Sequence, residues 1–366
     1  MNSNYRFAFY LVEPVGLQDA LKYGVKAEEW GFDVVAACEN LFWWIPEHPP
    51  VWDNFTVLTT VMNRTKNIKL LTNVIDPVKR HPAIVAHIAT TLDNIAKGRI
   101  AIGIGAGEVA NFGSLVDMSG PKPYRLFTRT KEFIKVMQGV WSSTIDKPYN
   151  FNGTHFKVKD AFLTLKPLTK PHPSIYLAAM GPKMLKLTAD MADGWTPCFY
   201  TPEAYEKDWK KIKIATEDAG RNINEIDPSL TIYTIVLRNS DRAKDLALMK
   251  GKTALAARPR LLRNLGYSDL AEKFKYMAIW KRSGPMGVET TREKELVKMI
   301  PEEAATNVII SGNSDDAIEQ IENFTKAGVK LFILWPPYEE KDVLKETIEN
   351  YRDKILPYFA ENKEQI

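Results

Sequence analysis

The run RHPAIVAHIATTLDNIAKGRIAIGIGAGE (Arg80–Glu108) joins the clearest helical pattern of the chain to an apolar strand. The helix is expected to begin near Pro82 and to end before Gly98, because proline favours the first turn and glycine the position after the last. Its apolar residues recur at helical spacing and predict one buried face, formed by Ile84, Val85, Ile88, Leu92 and Ile95. The strand that follows, Arg99–Gly105, is almost continuously apolar, which is typical of a parallel sheet buried on both faces.

The same alternation of short apolar runs and helical segments continues along the chain. The runs predict strands at Phe7–Glu13, Asp33–Ala37, Ile68–Val74, Arg99–Gly105, Ser174–Ala179, Gly194–Phe199, Ser229–Leu237 and Val329–Trp335. Eight strands with helices between them favour an α/β fold, a (β/α)8 TIM barrel, over an open doubly wound sheet.

Two insertions interrupt this alternation, and we expect both at the C-terminal mouth of a single domain over residues 1–366. A hairpin is predicted around residues 148–158, with its turn at Asn152-Gly153. A helical, mostly basic segment covers residues 239–307 and is either a lid over the mouth or a solvated decoration. Its basic residues serve an acidic substrate or an acidic cofactor tail, or face water, and we expect the last: Arg258, Arg260, Arg263, Lys273 and Lys275.

Composition excludes several classes of protein. The 366 residues carry 49 basic and 45 acidic side chains, a net charge of +4, which is too balanced to indicate nucleic-acid binding. No apolar run approaches the roughly 18 residues of a membrane-spanning helix, and the N-terminus does not read as a signal peptide. Cys38 and Cys198 lie far apart, which favours a reducing, cytoplasmic setting.

The glycines of GRIAIGIGAGEVAN (Gly98–Asn111) look like a cofactor signature, but their spacing is G-x-G-x-G. The dinucleotide fingerprint requires G-x-G-x-x-G near the start of its domain, so we do not interpret the run as a Rossmann turn.

Polar residues follow the predicted strands at the expected mouth, and several carry carboxylates. They are Glu13, Glu39, Asn40, Asn73, Asp76, Glu108 and Asn111. Glutamates that converge repel one another, so one of them should keep its proton and serve as an acid–base group. Spacing alone leaves open whether they form such a site or are solvated loop carboxylates. The five histidines form no metal-ligand pair, and His81 is expected to cap the next helix.

The Arg80–Glu108 run resembles the luciferase-like flavin and deazaflavin oxidoreductases, in particular the branch that depends on coenzyme F420. The similarity covers Phe7 to about Trp195 and resumes from Val308 to Trp335. It implies a (β/α)8 barrel, usually dimeric, with the cofactor ring at the C-terminal mouth. It also implies a non-proline cis peptide at Asn73-Val74 that supports the ring.

The resemblance further implies which positions bind the cofactor. The ring and its ribityl chain would lie beside Glu39, Gly105, Ala106, Gly107 and Glu108, with Asn111 near the chain. The phosphate end would meet Ala178, Ala179, Gly181 and the helix that begins at Pro182, with Thr196 completing that pocket.

The chain departs from the dehydrogenases of this branch in one respect. They carry an aspartate followed by a histidine base after strand two, and this chain has Glu39-Asn40. Asparagine cannot take a proton, so Glu13, Glu39 or Glu108 would supply it, Asn40 would donate a hydrogen bond to the reacting atom, and Trp44 would line the substrate side. The phosphate-binding residues of the sugar-phosphate enzyme find no match.

We therefore expect an F420-dependent oxidoreductase that transfers hydride between the deazaflavin C5 and a small or medium organic substrate, such as an alcohol, a ketone or a C=N compound. One alternative is an FMN-dependent two-component monooxygenase, which generally needs histidine and arginine in its pocket. Another is a non-catalytic flavin-binding barrel. A homodimer is expected, with no nucleic acid, membrane or metal involved.

Overall fold

The computed structural model describes residues 5–12, 15–41, 51–115, 125–275 and 291–361. Its strands are β1 (Arg6–Leu11), β2 (Val34–Ala37), β3 (Lys69–Ile75), β4 (Ile100–Ile104), β5 (Tyr149–Asn152), β6 (Lys157–Ala161), β7 (Ile175–Leu177), β8 (Gly194–Trp195), β9 (Asp227–Val236), β10 (Ile309–Gly312) and β11 (Leu331–Trp335).

The helices of the described residues are α1 (Leu17–Glu29), α2 (Asn54–Met62), α3 (Pro82–Ile95), α4 (Val109–Phe112), α5 (Leu126–Ser142), α6 (Pro182–Met191), α7 (Pro202–Asp218), α8 (Ser240–Ala256), α9 (Pro259–Asn264), α10 (Ser268–Lys273), α11 (Thr291–Lys298), α12 (Glu302–Thr306), α13 (Ser314–Lys326), α14 (Lys341–Asn350) and α15 (Leu356–Glu361). A π-helical turn over Tyr351–Ile355 joins the last two. None of these helices is long and apolar enough to cross a membrane.

Eight parallel strands close on themselves, and the (β/α)8 barrel is confirmed. Their order is β11, β1, β2, β3, β4, β7, β8 and β9, with β9 pairing back to β11. Nearly every residue of these strands is buried, as the continuous apolar runs predict. The predicted strand at Gly194–Phe199 is shorter in the structure, since only Gly194 and Trp195 extend it before a single further bridge from Cys198 to Thr231.

Strand β10 is an addition that the sequence analysis does not predict. It pairs in parallel with the far end of β9, where Ile309 lies opposite Tyr233. Tyr233 also lies opposite Trp335 of β11. A strand residue has one neighbour on each side, so β10 extends the sheet on the β8 side of β9 beyond the point where β8 has ended.

Helix α3 confirms its predicted bounds, and of its predicted buried face Val85 and Leu92 are buried and Ile88 packs against the core, whereas Ile84 and Ile95 do not. His81 caps its first turn, since Nδ1 accepts from the Ala83 N–H at 3.3 Å. Ile84 and Ile95 were assigned to the buried face and are instead 57% and 52% exposed. The buried residues of the helix are Pro82, Val85, Ala86, Ala89, Thr90, Leu92 and Asp93. Small residues lie against the barrel, and the two outer isoleucines remain on the surface.

In the described residues, the two insertions add a hairpin and several helices. Strands β5 and β6 pair antiparallel, and the Gly153 N–H donates to the Phe156 carbonyl at 2.9 Å across the turn. In the later insertion α8 packs against α12 so closely that a side chain on Gly251 would collide with the backbone of Ala305. Between α8 and α12 the chain runs through α9 and α10, close to the barrel mouth.

Candidate active site

Strand β3 ends at the barrel mouth in an irregular segment. The peptide bond between Asn73 and Val74 is cis, which confirms the expectation drawn from the resemblance. The pairing of β3 with β4 shifts register between Thr72 and Ile75. The segment therefore bulges at the point where the resemblance places a cofactor ring.

The chain itself holds Asn73 in place from three directions. Its carbonyl accepts from the Tyr10 hydroxyl at 2.6 Å, its Nδ2 donates to Thr231 Oγ1 at 2.9 Å, and its Oδ1 accepts from Thr196 Oγ1 at 3.1 Å. The side chain of Asn73 is thus committed to the barrel interior. The hydroxyl of Thr196 supports the bulge, whereas the resemblance placed it in the pocket for an anionic cofactor end.

The glycine run of β4 is required first by packing within the chain. A Cβ atom on Gly105 would lie 2.8 Å from Val74 Cγ2. Gly107 has a φ of +99°, and a Cβ there would lie 2.9 Å from the Phe112 ring and 3.0 Å from Asp76 Oδ1. Only glycine tolerates these positions, and the resulting smooth surface lies directly beside the bulge.

Glu39, one of the expected proton donors, is bound by cations on both oxygens. Lys79 Nζ lies 3.2 Å from its Oε2, and Arg80 Nε donates to its Oε1. The Asp76 N–H also donates to Oε2 at 3.1 Å. A carboxylate with this many partners fixes the loops after β2 and β3, and the arrangement argues against Glu39 as a proton donor.

Asp76, directly after β3, is a further buried carboxyl at the mouth. It is 5% exposed, Oδ1 accepts from the Val78 N–H at 2.7 Å, and Oδ2 has no hydrogen-bond partner among the described residues. Burial, together with the charges of Glu39 and Glu108, raises its pKa to about 6 against the effect of Lys79. The carboxylates of Glu39, Asp76 and Glu108 therefore converge at the mouth. The sequence analysis assigns no proton-transfer role to Asp76.

Glu108 faces a cation that comes from the late insertion. Burial raises the pKa of Glu108, although the charges of Arg258 and Lys79 act in the opposite direction. The Arg258 guanidinium stacks on the Phe199 ring, 4.4 Å from its centroid, and its charge acts on the Cys198 thiol. A protonatable carboxyl and a fixed arginine thus act on each other at the mouth.

The expectation that the basic residues of the insertion face water is wrong for two of them. Arg258 reaches the mouth, and a Cβ on Gly181 would lie 3.1 Å from Arg260 Nη1. Arg263 and Lys275 are exposed and pair with Glu272. Pro259 explains the difference, because it starts a new helix at the point where Arg258 and Arg260 turn toward the barrel.

Asn111 organises the loop after β2. Its Nδ2 donates to the Glu39 carbonyl at 3.2 Å and to Asn40 Oδ1, and its Oδ1 accepts from the Leu41 N–H at 3.0 Å. These bonds fix Asn40 next to β4. A contact from Asn111 to a cofactor chain stays a prediction, since most of its amide is used within the protein.

Two expected site residues, Glu13 and Trp44, lie outside the described residues. Within the part of the chain that the structure describes, no three histidine, cysteine or acidic side chains come together as a metal site.

The start of α6 offers an anion-binding end to the mouth. Gly181 is the N-cap and provides no side-chain cap, and Pro182 occupies the first turn. The N–H groups of such a turn, together with Arg260, favour a negative group. Ala178 and Ala179 precede this turn. The Ala179 carbonyl accepts from Trp195 Nε1 at 2.8 Å, so the buried Trp195 ring holds the backbone before the turn.

Aromatic rings line the opposite side of the mouth. Tyr233 lies 4.2 Å from Trp335 and 4.8 Å from Phe199, measured between ring centroids, and Tyr10 lies 5.6 Å from Trp335. This aromatic wall comes from β1, β9, β11 and the segment after β8. It offers an apolar surface next to Arg258 for an organic substrate.

Comparison with known proteins agrees with this architecture. The sequence profile of the luciferase-like monooxygenase family matches residues 4–331. The chain is 28% identical over 341 residues to a 5,10-methylenetetrahydromethanopterin reductase from Archaeoglobus fulgidus, covering 92% of this chain and 95% of the relative. It is 26% identical over 350 residues to an F420-dependent glucose-6-phosphate dehydrogenase from Microbacterium testaceum, covering 94% of each.

Solved structures show the same fold. A coenzyme F420-dependent tetrahydromethanopterin reductase from Methanopyrus kandleri superposes with a TM-score of 0.80 at 23% identity, covering 97% of this chain and 99% of that one. An F420-dependent secondary alcohol dehydrogenase in complex with an F420-acetone adduct gives 0.79 at 23% identity, covering 95% and 97%. With a family profile that spans most of its length, this chain belongs to the luciferase-like monooxygenase family.

Proposed function

We propose that this protein is a coenzyme F420-dependent oxidoreductase acting on a small or medium organic substrate, an alcohol, ketone or C=N compound. Relatives with F420-dependent names align over nearly the whole chain. When bound, the deazaflavin would supply hydride transfer at C5. The chain itself would bind it, orient the substrate and handle the proton.

The residues at the mouth fit a flat ring joined to an anionic tail. The bulge at Val74 and the smooth surface of Gly105, Ala106 and Gly107 would support the ring. The N-terminus of α6 and Arg260 would hold the phosphate, since free N–H groups and a guanidinium are the donors that a phosphate requires.

The pair of Glu108 and Arg258 carries this proposal. A carboxyl whose pKa is raised by burial can keep a proton near neutral pH and deliver it to the reacting atom. Arg258, fixed on Phe199, would donate hydrogen bonds to a substrate oxygen, and Asn40 would do so from the opposite loop. Trp44 and Glu13 stay predictions for the substrate side.

The same pair bears on the substrate class. The charge of Arg258 faces Glu108 and the aromatic wall, so the pocket favours a mainly apolar molecule with one polar oxygen or nitrogen. We therefore place sugar phosphates outside the substrate range, in contrast to what the name of the glucose-6-phosphate dehydrogenase relative states for that protein.

Calorimetry with F420 and FMN tests the cofactor. F420 should bind with micromolar or better affinity, and FMN much more weakly. Arg260→Met should weaken F420 but leave a deazaflavin without phosphate unaffected, whereas Arg263→Met, a change at an exposed arginine, should alter neither.

Turnover of reduced or oxidised F420 with secondary alcohols, ketones, imines and glucose 6-phosphate tests the substrate class. FMN binding as tight as F420 binding would favour the monooxygenase alternative, for which Arg258 would supply the pocket arginine. Tight binding of either ring with no turnover on any substrate would favour a non-catalytic barrel.

A further inference from the structure

A cavity lies at the end of the barrel where the parallel strands begin, opposite the mouth that carries the proposed cofactor site. Six adjacent strands, β11, β1, β2, β3, β4 and β7, contribute residues from their N-terminal ends to its lining. The space measures about 480 Å³, including its opening to solvent. Active sites of such barrels occupy the other end, so cofactor chemistry does not explain a cavity here.

The lining combines buried apolar side chains with polar groups. Val34, Leu70 and Leu331 are buried and belong to the barrel core, whereas Lys69 at the start of β3 is exposed. Charges next to such a low-dielectric surface interact more strongly than charges in open water. An ion in this cavity would therefore be held more tightly than on an open surface.

The charge of the lining is positive. Arg6, Lys69 and Arg99 line the cavity, and no carboxylate does among the residues that the structure describes. Asp33 acts on Arg6 and Lys69 through its charge, but its carboxylate accepts from the Phe7 N–H at 2.8 Å and lies outside the lining. The cations of the cavity are thus not matched by acids within it.

Arg6 keeps donors for a further acceptor. Its Nη2 donates to Asp227 Oδ1 at 2.5 Å, and its charge acts on the Tyr176 hydroxyl. That hydroxyl donates to the other oxygen of Asp227 at 2.5 Å, so both carboxylate oxygens are occupied. A guanidinium has five N–H groups, and these contacts leave some of them available.

Lys69 and Arg99 form no ion pair with any residue that the structure describes. Arg99 donates there to neutral acceptors: the carbonyls of Met62, Thr65, Ile68 and Ala96, and the Thr65 hydroxyl. Burial lowers the pKa of Arg99, and the charge of Glu28 only partly offsets it. Its positive charge is therefore fixed in place without a carboxylate bound to it.

An ammonium group, spare guanidinium N–H groups and a hydroxyl are the donors that a phosphate group binds. We propose that this cavity binds a phosphate group through Lys69, Arg6 and the Ser174 hydroxyl, with the fixed charge of Arg99 beside it. Folding alone brings these residues together, so a bound phosphate stabilises the closed barrel. The site is separate from the N-terminus of α6 and does not depend on the proposed function.

Thermal unfolding in inorganic phosphate tests the site, with sodium chloride adjusted to keep the ionic strength constant. Phosphate should raise the melting temperature of the wild type, and its concentration dependence gives a dissociation constant. Lys69→Met should weaken binding by about tenfold or more, the scale of one charge-assisted hydrogen bond. Lys69→Arg keeps the charge and should bind phosphate more tightly than Lys69→Met.

Lys22→Met, at an exposed lysine on α1, is the matched control and should bind phosphate as the wild type does. Melting temperatures in chloride alone verify that each variant is folded. The affinity of Lys69→Met for F420 should equal that of the wild type, because the cavity lies at the opposite end of the barrel.

Inorganic phosphate is also expected to bind at the N-terminus of α6, and Arg260→Met separates the two sites. This variant should lose the contribution of the mouth and keep the one that depends on Lys69. Loss of the whole effect in Arg260→Met, with none in Lys69→Met, would overturn the cavity site and leave the proposed function standing. Equal melting temperatures of the wild type in phosphate and chloride would overturn it as well.

Glycerol 3-phosphate in the same titration distinguishes a free ion from the phosphate of a larger molecule. Binding that depends on Lys69 and is tighter than that of inorganic phosphate assigns the cavity to a phosphate ester. Weaker binding assigns it to the free ion. If Lys69→Met changes the affinity for neither compound, the cavity is not a phosphate site.

Discussion

At the scale of single residues, Glu108 combines a cost in stability with a proposed role in proton transfer. Its pKa is raised in the folded protein, so the folded state resists ionisation of this carboxyl. Stability is lost as the pH rises from the unfolded pKa, about 4.3, through the higher folded value. Glu108→Gln removes the titration and keeps the shape, so its melting temperature near pH 7 should equal or exceed that of the wild type.

Turnover should respond in the opposite direction. Glu108→Gln is expected to lower kcat by roughly 10²-fold, the usual scale for the loss of a general acid or base. Asn40→Ala removes only a hydrogen bond and should cost less. Stopped-flow rates with F420 across pH 5–9 provide the measurement; an unchanged rate and pH profile would leave solvent or Glu13 as the proton source.

Residues were predictable from the sequence where a local pattern specifies them. The cap at His81 follows from its place before a proline, and the cis bond at Asn73-Val74 follows from the family resemblance. Asp76 is among the mouth residues that the sequence predicts, because it comes directly after a buried strand, but its burial and raised pKa depend on the fold. Arg258 could not be predicted there, because only the folded path of the insertion brings it to Phe199 and Glu108.

At the scale of elements, the β5–β6 hairpin depends on the Glu132 carboxylate. Burial alone would raise the pKa of Glu132, but the N–H groups of the hairpin tip outweigh it and lower the pKa. Hydrogen bonds to a charged group contribute about 1.5–3 kcal/mol net, so Glu132→Ala should lower the free energy of unfolding at pH 7 by at least that order. Urea unfolding measures it.

The pH dependence has a definite sign. Because the folded pKa is depressed, this stabilisation is present above the ordinary glutamate pKa of about 4.3 and is lost as the pH falls through the lower folded value. The difference between wild type and Glu132→Ala should therefore narrow as the pH falls below about 4.3. Glu217→Ala, at an exposed position on α7, should show no such trend, and a difference that is constant with pH would contradict the argument.

Helices and strands were predictable from the sequence where their structure does not depend on packing against other elements. The order of strands and the hairpin follow from periodicity and turn residues. The buried face of α3 follows only in part, since Val85 and Leu92 are buried as the spacing predicts. Packing on the barrel also selects Ala86 and Ala89 and leaves Ile84 and Ile95 outside. Strand β10 pairs only because β8 ends early, which no local pattern indicates.

At the scale of the whole molecule, the later insertion joins the same core as the barrel. Leu255, Leu262, Phe274 and Ile300 belong to one continuous cluster with the barrel strands. The insertion is therefore anchored where it delivers Arg258 and Arg260, and the mouth is built from distant parts of the sequence. That dependence on long-range packing explains why the substrate side was the least predictable part of the molecule.

We propose that the chain forms a homodimer through an apolar patch that α3 shares with the segment before β7. Ile95 is 52% exposed, and Leu165 and Leu168 are 45% and 54% exposed. The segment is bound to α3, because Asn94 Nδ2 donates to the Lys166 carbonyl at 2.9 Å. Exposed apolar side chains on two neighbouring segments are typical of an interaction surface.

Light scattering should therefore give a mass of twice the 41.6 kDa of one chain. Ile95→Glu combined with Leu168→Glu should give monomers, because each copy would bury two unpaired charges on association. Ile214→Glu, at a 61% exposed position on α7, is the matched control and should stay dimeric. Circular dichroism verifies that each variant is folded. A monomeric wild type would contradict the homodimer, and dissociation by the control alone would place the interface elsewhere.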